Sequence, residues 1–329
     1  MTSTLTARES EPERPLETHG MAGDVWADRI FRGLTLVAGL AVLAILALIA
    51  YSTTKEAWPA FRKEGLSFVT SDDWAPAQGK FGALAFIYGT LLTSFIAIVI
   101  AVPVSLGIAL FTTEVAPRRL RRPIIYIVDL LAAIPSVVYG LWGFAVFAPW
   151  IMPKYQSVAD AVAGIPILNT LFGGFAQGRS FMTAGIVLSF MITPIITSLT
   201  RETLATVAQD DKNAALAMGA TRWEMIRVAV FPRVRGGVVA AVMLGLGRAM
   251  GETIAVALVI GSVPQITLHL FSSGDAMAAV IANQFGEASG DHRAALIGLG
   301  VVLFLITIVV NMLARFVVGL SERRASRAN

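Results

Sequence analysis

The sequence contains no cysteine, and only 15% of its 329 residues are charged. Without cysteine, a disulfide framework, a thiolate zinc site and a cysteine nucleophile are all excluded. A soluble domain usually carries roughly 25% charged residues to cover its surface with polar groups. This chain has too few charges for that, which argues against a cytosolic enzyme, a DNA-binding module and a disordered scaffold.

Apolar sequence is what the chain has in abundance, with 56% hydrophobic residues and a mean hydropathy of +0.71. A bilayer core about 30 Å thick is crossed by a helix of roughly 20 apolar residues. The sequence therefore predicts an all-α integral membrane protein with six transmembrane helices, at residues 33–52, 83–111, 124–150, 180–200, 235–262 and 296–320.

The distribution of basic residues predicts the orientation. Lys and Arg are concentrated in 112–123, in 201–235 and at the C-terminus, whereas 151–179 and 263–295 contain few. Because Lys and Arg are enriched on the cytoplasmic side, both termini are expected there, and the net charge of +4 does not indicate nucleic-acid binding. The polar ends are expected to be cytoplasmic tails, at residues 1–32 and 317–329, and the composition of the first predicts disorder.

Asp129, Arg248 and Glu252 are ionisable residues that lie clearly within the predicted spans. A charge at membrane depth costs at least a few kcal/mol, so each needs a partner or a function. A salt bridge to the arginines of 118–122, or a hydrated helix end, accounts for Asp129. If the fifth helix starts near Gly236, Arg248 lies about 18 Å along it, close to the bilayer midplane. Glu252 follows one turn later, on the same helix face.

Arg248 and Glu252 together suit a pathway for an anion. The guanidinium group offers a planar fork of donors that matches phosphate-like oxyanions. The nearby carboxylate pairs with it when the anion is absent and repels the anion afterwards, which favours release. Gly247 and Gly251 flank the pair, and are expected to allow close helix packing and leave room for a ligand. The alternative is an ion pair that only neutralises two buried charges, which is a poor source of stability.

The loop between the fourth and fifth spans, residues 201–235, has the pattern of a short helix. Asp210 or Asp211 is expected to cap it, and Gly219 is expected to end it. A helix lying on lipid presents bulky apolar side chains, whereas this one presents mainly alanine. We therefore predict that it packs into a groove of another protein.

Two motifs resemble those of ABC-importer permeases. The run from Asn213 to Pro232 resembles the EAA loop of type I importers, with four residues in register: Ala214, Ala215, Gly219 and Pro232. Three positions depart from that pattern: Asn213, Ala229 and Phe231 replace a glutamate, an isoleucine and a leucine. The run GLGRAMGETIAV at 245–256 is similar to the fifth-span signature of PstC-type phosphate permeases. The resemblance covers 85–316 and leaves the first span, 33–52, as an additional element.

The resemblance implies a type I ABC-importer permease with the MetI-like fold, located in a bacterial inner membrane and carrying inorganic phosphate without catalytic activity of its own. It implies a PstA-type second permease, two PstB-type ATPases and an extracytoplasmic PstS-type binding protein as partners. Arg248 and Glu252 would lie in the pathway. The loop 210–232 would dock the ATPase through eight residues: Asn213, Ala214, Ala215, Met218, Gly219, Ala220, Thr221 and Arg222.

The chain contains no G-x-x-x-x-G-K-[ST] phosphate loop. ATP and Mg²⁺ are therefore expected on the partner subunits, and this chain is expected to bind no cofactor or metal.

Two alternatives remain open from the sequence. A proton- or ion-coupled secondary anion carrier would use Asp129 and Glu252 as a relay, but it would show repeat symmetry and would leave the loop helix without a role. An ABC permease for sulfate, molybdate or phosphonate would differ only in its substrate. A membrane enzyme is disfavoured, because His19, His269 and His292 lack metal-ligand spacing.

Overall fold

The computed structural model describes the backbone of residues 21–326, and the side chains of Trp26 and of residues 28–316. Most of the predicted N-terminal tail lies outside these residues. Within them, six helical segments are long and apolar enough to cross a membrane, which confirms the predicted fold class: Asp28–Glu64, Leu84–Val115, Ser136–Val162, Phe181–Ala205, Arg222–Met250 and Gly290–Phe316.

The first helix, α1, runs over Met21–Glu64 and is longer than the predicted span of 33–52 at both ends. The chain divides into two compact units at Ser52 and Thr53, so α1 contributes to both. In the N-terminal unit the side chains of residues 28–49 are exposed all around the helix. A helix that is apolar on every face is suited to lipid.

The second unit begins with the end of α1, which is followed by a short helix and a small β-hairpin. The short helix α2 (Ser67–Thr70) is followed by an antiparallel hairpin of β1 (Trp74–Ala75) and β2 (Lys80–Phe81), in which Trp74 pairs with Phe81. A 3₁₀ turn, Pro76–Gln78, joins the strands. The hairpin aromatics pack onto the last span in a cluster that includes Phe68, Phe86, Leu296 and Leu299.

Helices α3 (Leu84–Leu110) and α8 (Phe181–Ala205) form the centre of the second unit. Their packing is close because Gly185 faces Ile96, whose side chain occupies the space that a Cβ would need. The largest apolar cluster lies around them and includes Phe181, Ile192 and Ile196. Pro103 and Pro194 lie inside these helices without ending them.

The predicted third span, 124–150, is wrong in its bounds. Helix α4 (Arg118–Ala133) ends before Pro135, because proline disfavours helical geometry in the residue before it, and Ile134 is extended. A new helix, α5 (Ser136–Trp142), continues through a π-helical turn, Gly143–Phe147, into α6 (Ala148–Val162). The spanning helix therefore starts twelve residues later than predicted.

The remaining elements complete the loops and the last two spans. Helix α7 (Pro166–Phe172) follows the third span in sequence. The loop after α8 contains α9 (Gln209–Ala217) and α10 (Arg222–Met225). A π-helical turn, Ile226–Val230, leads into α11 (Phe231–Met250). The last three helices are α12 (Ile254–Val259), α13 (Met277–Gln284) and α14 (Gly290–Ser326).

Candidate functional site

The fifth span is interrupted beside Arg248 and Glu252. Helix α11 ends at Met250 and α12 begins at Ile254, so the prediction of one continuous helix over 235–262 is wrong. Gly251 lowers helix stability by about 1 kcal/mol relative to alanine, and the Glu252 side chain bonds to the next helix instead of extending the first. The sequence run therefore contains a long helix and a short one, with the charged pair at their junction.

The structure brings the two charged side chains together across this junction. Arg248 Nη2 lies 3.7 Å from Glu252 Oε2. The other carboxylate oxygen, Oε1, accepts a hydrogen bond from the Ala255 N–H at 3.3 Å. The Glu252 side chain is 5% exposed, whereas that of Arg248 is 52% exposed. The carboxylate is thus held inside the protein while the guanidinium group faces open space.

Arg248 lies at one end of a groove with a volume of about 910 Å³. One wall is the face of α11 from Gly236 to Arg248, and the other is a face of α14. Most of the lining is apolar, and its polar side chains are Arg248, Asn311 and Arg315. Two arginine side chains, Arg248 and Arg315, in a mostly apolar groove favour an anionic ligand that a guanidinium group can bind.

The glycines near the pair, Gly247 and Gly251, face mostly open space in this chain. A Cβ on Gly247 would meet nothing within 4 Å, and one on Gly251 would meet only the Gly247 carbonyl oxygen, at 3.5 Å. Within this chain neither packs two helices together. Gly237 and Gly245 do so, because a Cβ there would overlap Thr203 and Ile196 of α8. The sequence signal for these two is the small-residue spacing of Gly237, Ala241 and Gly245.

The loop helix α9 ends as predicted but starts differently. Gly219 has a φ of +86°, and the Gly219 and Ala220 N–H groups bond to the Leu216 and Ala215 carbonyls, which is a Schellman end. At the start, Ala208 is the cap residue, without a side-chain bond. Asp210 and Asp211 lie in the first turn, where their charge complements the helix dipole.

Most of the residues assigned to ATPase docking are exposed, at the C-terminal end of α9 and in the turn that follows it. Met218 is 89% exposed, and Ala214, Gly219 and Arg222 are also exposed. Asn213 is exposed and accepts a bond from Gln209, whereas Ala215 and Ala220 are half-buried. The exposed Thr221 caps α10 in a reciprocal capping box with Glu224. The side chains between the bulkier Met218 and Arg222 are small, so a partner can approach the backbone closely there.

Two aspartates lie apart from the pathway pair. Asp129 is exposed on α4, outside the six spans, and forms no ion pair with the described residues. Asp275 is 3% exposed in the connector between α12 and α13, and its Oδ1 accepts the Ala276 N–H at 2.8 Å. Removal from water raises the pKa of Asp275 to about 7, and the hydrogen bond offsets only part of that increase. The sequence reasoning did not find Asp275.

Comparisons with known proteins place this geometry in context. A family model described as "Binding-protein-dependent transport system inner membrane component" matches residues 101–327. The chain is 46% identical over 291 residues to the phosphate transport system permease protein PstC of Mesorhizobium japonicum, covering 88% of this chain and 89% of that one. It is 43% identical over 317 residues to PstC of Xylella fastidiosa, covering 96% of each chain.

A solved structure shares the fold. The chain is similar to one in the crystal structure of a bacterial alginate ABC transporter in complex with an alginate pentasaccharide-bound periplasmic protein. The TM-score is 0.57 at 19% sequence identity, over 88% of this chain and 95% of that one.

Proposed function

Because the chain belongs to the family of binding-protein-dependent transport system inner membrane components, and within it to the PstC-type permeases, we propose that it is the permease subunit of an ATP-driven ABC importer for inorganic phosphate. It is a multi-pass membrane protein and a transport subunit rather than an enzyme. Its role is to offer phosphate a route across the bilayer.

The observation that carries the proposal is the unequal burial of the charged pair. Charge-assisted hydrogen bonds between guanidinium and carboxylate groups are about 2.7–2.9 Å long, and the Arg248–Glu252 separation of 3.7 Å exceeds this. The guanidinium donors are therefore not used up by Glu252. They face the groove, where an oxyanion can replace water as their acceptor.

Glu252 limits how tightly an anion binds to Arg248. Its carboxylate is held near Arg248 by the Ala255 N–H, so its negative charge opposes an anion bound to the arginine. A guanidinium group alone would bind a dianion tightly, whereas the neighbouring carboxylate weakens that binding and favours release. Transport needs binding that is strong enough for entry and weak enough for exit.

The rest of the importer is proposed from the family. A PstA-type permease shares the pathway, a PstS-type protein delivers phosphate outside, and two PstB-type ATPases bind ATP and Mg²⁺. The exposed end of α9 docks one ATPase on the arginine-rich side, which is the cytoplasmic side. ATP binding closes the ATPases, moves α9 and turns the spans around Arg248, so that the pathway opens alternately to each side.

The secondary-carrier alternative is not favoured, because the named relatives are permeases of a binding-protein-dependent phosphate system. Its proposed relay also lacks support in the geometry, since Asp129 lies exposed on α4, outside the spans.

The test is phosphate uptake into proteoliposomes that contain the assembled complex, with ATP supplied and the proton gradient collapsed. We expect uptake by the wild type, and its loss in Arg248→Gln and Glu252→Gln complexes that assemble normally. Arg235→Gln is the matched control, because Arg235 is an exposed arginine of the same helix that does not line the groove.

Three results would count against the proposal. Uptake that follows the proton gradient instead of ATP would favour the secondary carrier. Near-normal uptake by both pathway variants would show that the charged pair is structural. Stronger inhibition of labelled phosphate uptake by sulfate, molybdate or phosphonate than by unlabelled phosphate would identify another oxyanion as the substrate.

A further inference from the structure

Helix α9 is held at its start by two ion pairs from adjacent residues. Lys212 Nζ lies 2.6 Å from Glu114 Oε1. Asp211 binds Arg233 in a two-pronged pair, with Nη1 2.8 Å from Oδ2 and Nη2 2.9 Å from Oδ1. Successive side chains on a helix point about 100° apart, which lets the two neighbours reach different elements.

The partners of these residues belong to two different spans. Glu114 lies in the π-helical turn Phe111–Val115, at the end of the second span. Arg233 lies in the first turn of α11, fifteen residues before Arg248, which is about 22 Å along the helix. The loop helix is thus joined to the second span and to the helix that carries the pathway arginine.

The structure describes every residue of α9, and apolar packing contributes little to holding this helix against the spans. Lys212 is its one buried residue, and Ala215 is a partly buried neighbour of the apolar cluster around Leu204 and Ile226. A short alanine-rich helix that buries almost no apolar surface is held weakly by the hydrophobic effect. Among the described residues, the two ion pairs are therefore the polar side-chain contacts between α9 and the spans, beside the packing of Ala215.

The Lys212–Glu114 pair is largely buried. The two side chains are 10% and 7% exposed. A buried ion pair rarely stabilises a protein more than apolar residues of similar size would, but removal of one partner is strongly unfavourable. Such a pair keeps two elements at a fixed separation because either charge alone is costly. Such a pair is suited to holding two helices together while both of them move.

We propose that Lys212–Glu114 and Asp211–Arg233 are positioning contacts that transmit the movement of α9 to the second span and to α11. This inference rests on the proposed function, in which ATPase closure displaces α9. The Lys212–Glu114 pair moves the end of the second span with α9, and the Asp211–Arg233 pair moves the start of α11. Arg248, on the same α11 helix, is displaced in turn. These residues touch neither phosphate nor ATP; they act by keeping the two movements coupled.

The experiment measures phosphate taken up per ATP hydrolysed by purified, assembled complexes in proteoliposomes. Lys212→Met and Glu114→Gln are each expected to keep ATP hydrolysis while the uptake-to-hydrolysis ratio falls about tenfold, within the usual range of coupling between sites. The double variant Lys212→Glu/Glu114→Lys restores an ion pair with reversed charges. It is expected to regain most of the lost ratio, which general damage to the fold would not allow.

If the variants of the buried pair do not assemble, the exposed Asp211–Arg233 pair provides a second test of the same inference. Arg233 and Asp211 side chains are 59% and 30% exposed, so Arg233→Gln is compatible with folding. The matched control is Arg235→Gln, an exposed arginine two residues away that forms no ion pair with the described residues. A lower uptake-to-hydrolysis ratio in Arg233→Gln than in Arg235→Gln supports the inference.

Two results would overturn the inference without affecting the proposed function. One is a wild-type ratio in the Arg233→Gln complex. The other is a parallel loss of uptake and hydrolysis in the assembled single variants, with no recovery in the reversed pair. Failure of the proposed function is a separate result, because the wild-type complex itself would then take up no phosphate with ATP.

Discussion

Replacing Asp275 with asparagine should remove a pH dependence of stability. Burial raises the pKa of Asp275 to about 7 from its ordinary value of 3.8, so the folded protein retains a proton that the unfolded chain releases. The stability that this group contributes is fully present below the unfolded pKa and is lost as the pH rises through the folded pKa. The pH window is therefore from about 4 to about 7.

The size of the effect follows from the two pKa values. A pKa difference of about three corresponds to a loss on the order of 4 kcal/mol in the free energy of unfolding once the pH is above both values. Asparagine carries no charge, and its oxygen can still accept the Ala276 N–H that Asp275 binds. The variant is expected to match the wild type in acid and to be more stable at alkaline pH.

The assay is the melting temperature of the purified protein in detergent, measured from acidic to alkaline pH. We expect the wild-type curve to fall relative to that of Asp275→Asn as the pH rises from about 4 to about 7, and to stay below it at higher pH. Asp129→Asn, which changes an exposed aspartate on α4, is the matched control and should follow the wild type. Parallel curves for the wild type and Asp275→Asn would refute the reasoning.

Three further substitutions test the packing and the loop helix. Gly245→Ala should destabilise the protein by about 1–3 kcal/mol through overlap with Ile196, whereas Gly247→Ala, which meets nothing within 4 Å, should not; equal melting temperatures would contradict this. Gly219→Ala should weaken the end of α9 by about 1–2 kcal/mol because φ is +86°, and should lower uptake more than Gly219→Asn. Thr221→Ala should destabilise the start of α10 by about 1 kcal/mol through loss of the cap. The measurement is hydrogen exchange in α10, which should become faster; unchanged exchange would exclude a stabilising role for this cap.

Composition and long apolar runs were sufficient to predict the six spans, because membrane thickness imposes a length that few other structures require. The third span contains Pro135, which disfavours a continuous helix, but hydropathy alone could not show that the chain breaks there and that α4 lies outside the span. The break at Gly251 was hidden in the same way, since apolar residues continue on both sides of it.

The candidate site was predictable only where its residues are close in sequence. Arg248 and Glu252 stand four positions apart, so their pairing followed from local geometry whether or not the helix continued. Glu114 and Lys212 are separated by 98 positions, and their contact depends on how the second span meets the loop helix. A lysine in a short alanine-rich helix reads as a solvated charge, and only tertiary packing shows that it is buried.

The tight glycine contacts determine which parts of the fifth span can move independently. A Cβ at Gly140 would overlap the Ala255 backbone, which fixes α12 to the third span, whereas Gly237 and Gly245 fix α11 to α8. Arg248 thus lies on a helix that packs against the fourth span, and Glu252 immediately precedes a helix that packs against both the third and the fourth spans. A distance probe placed across the break would therefore report how far α11 and α12 move relative to each other.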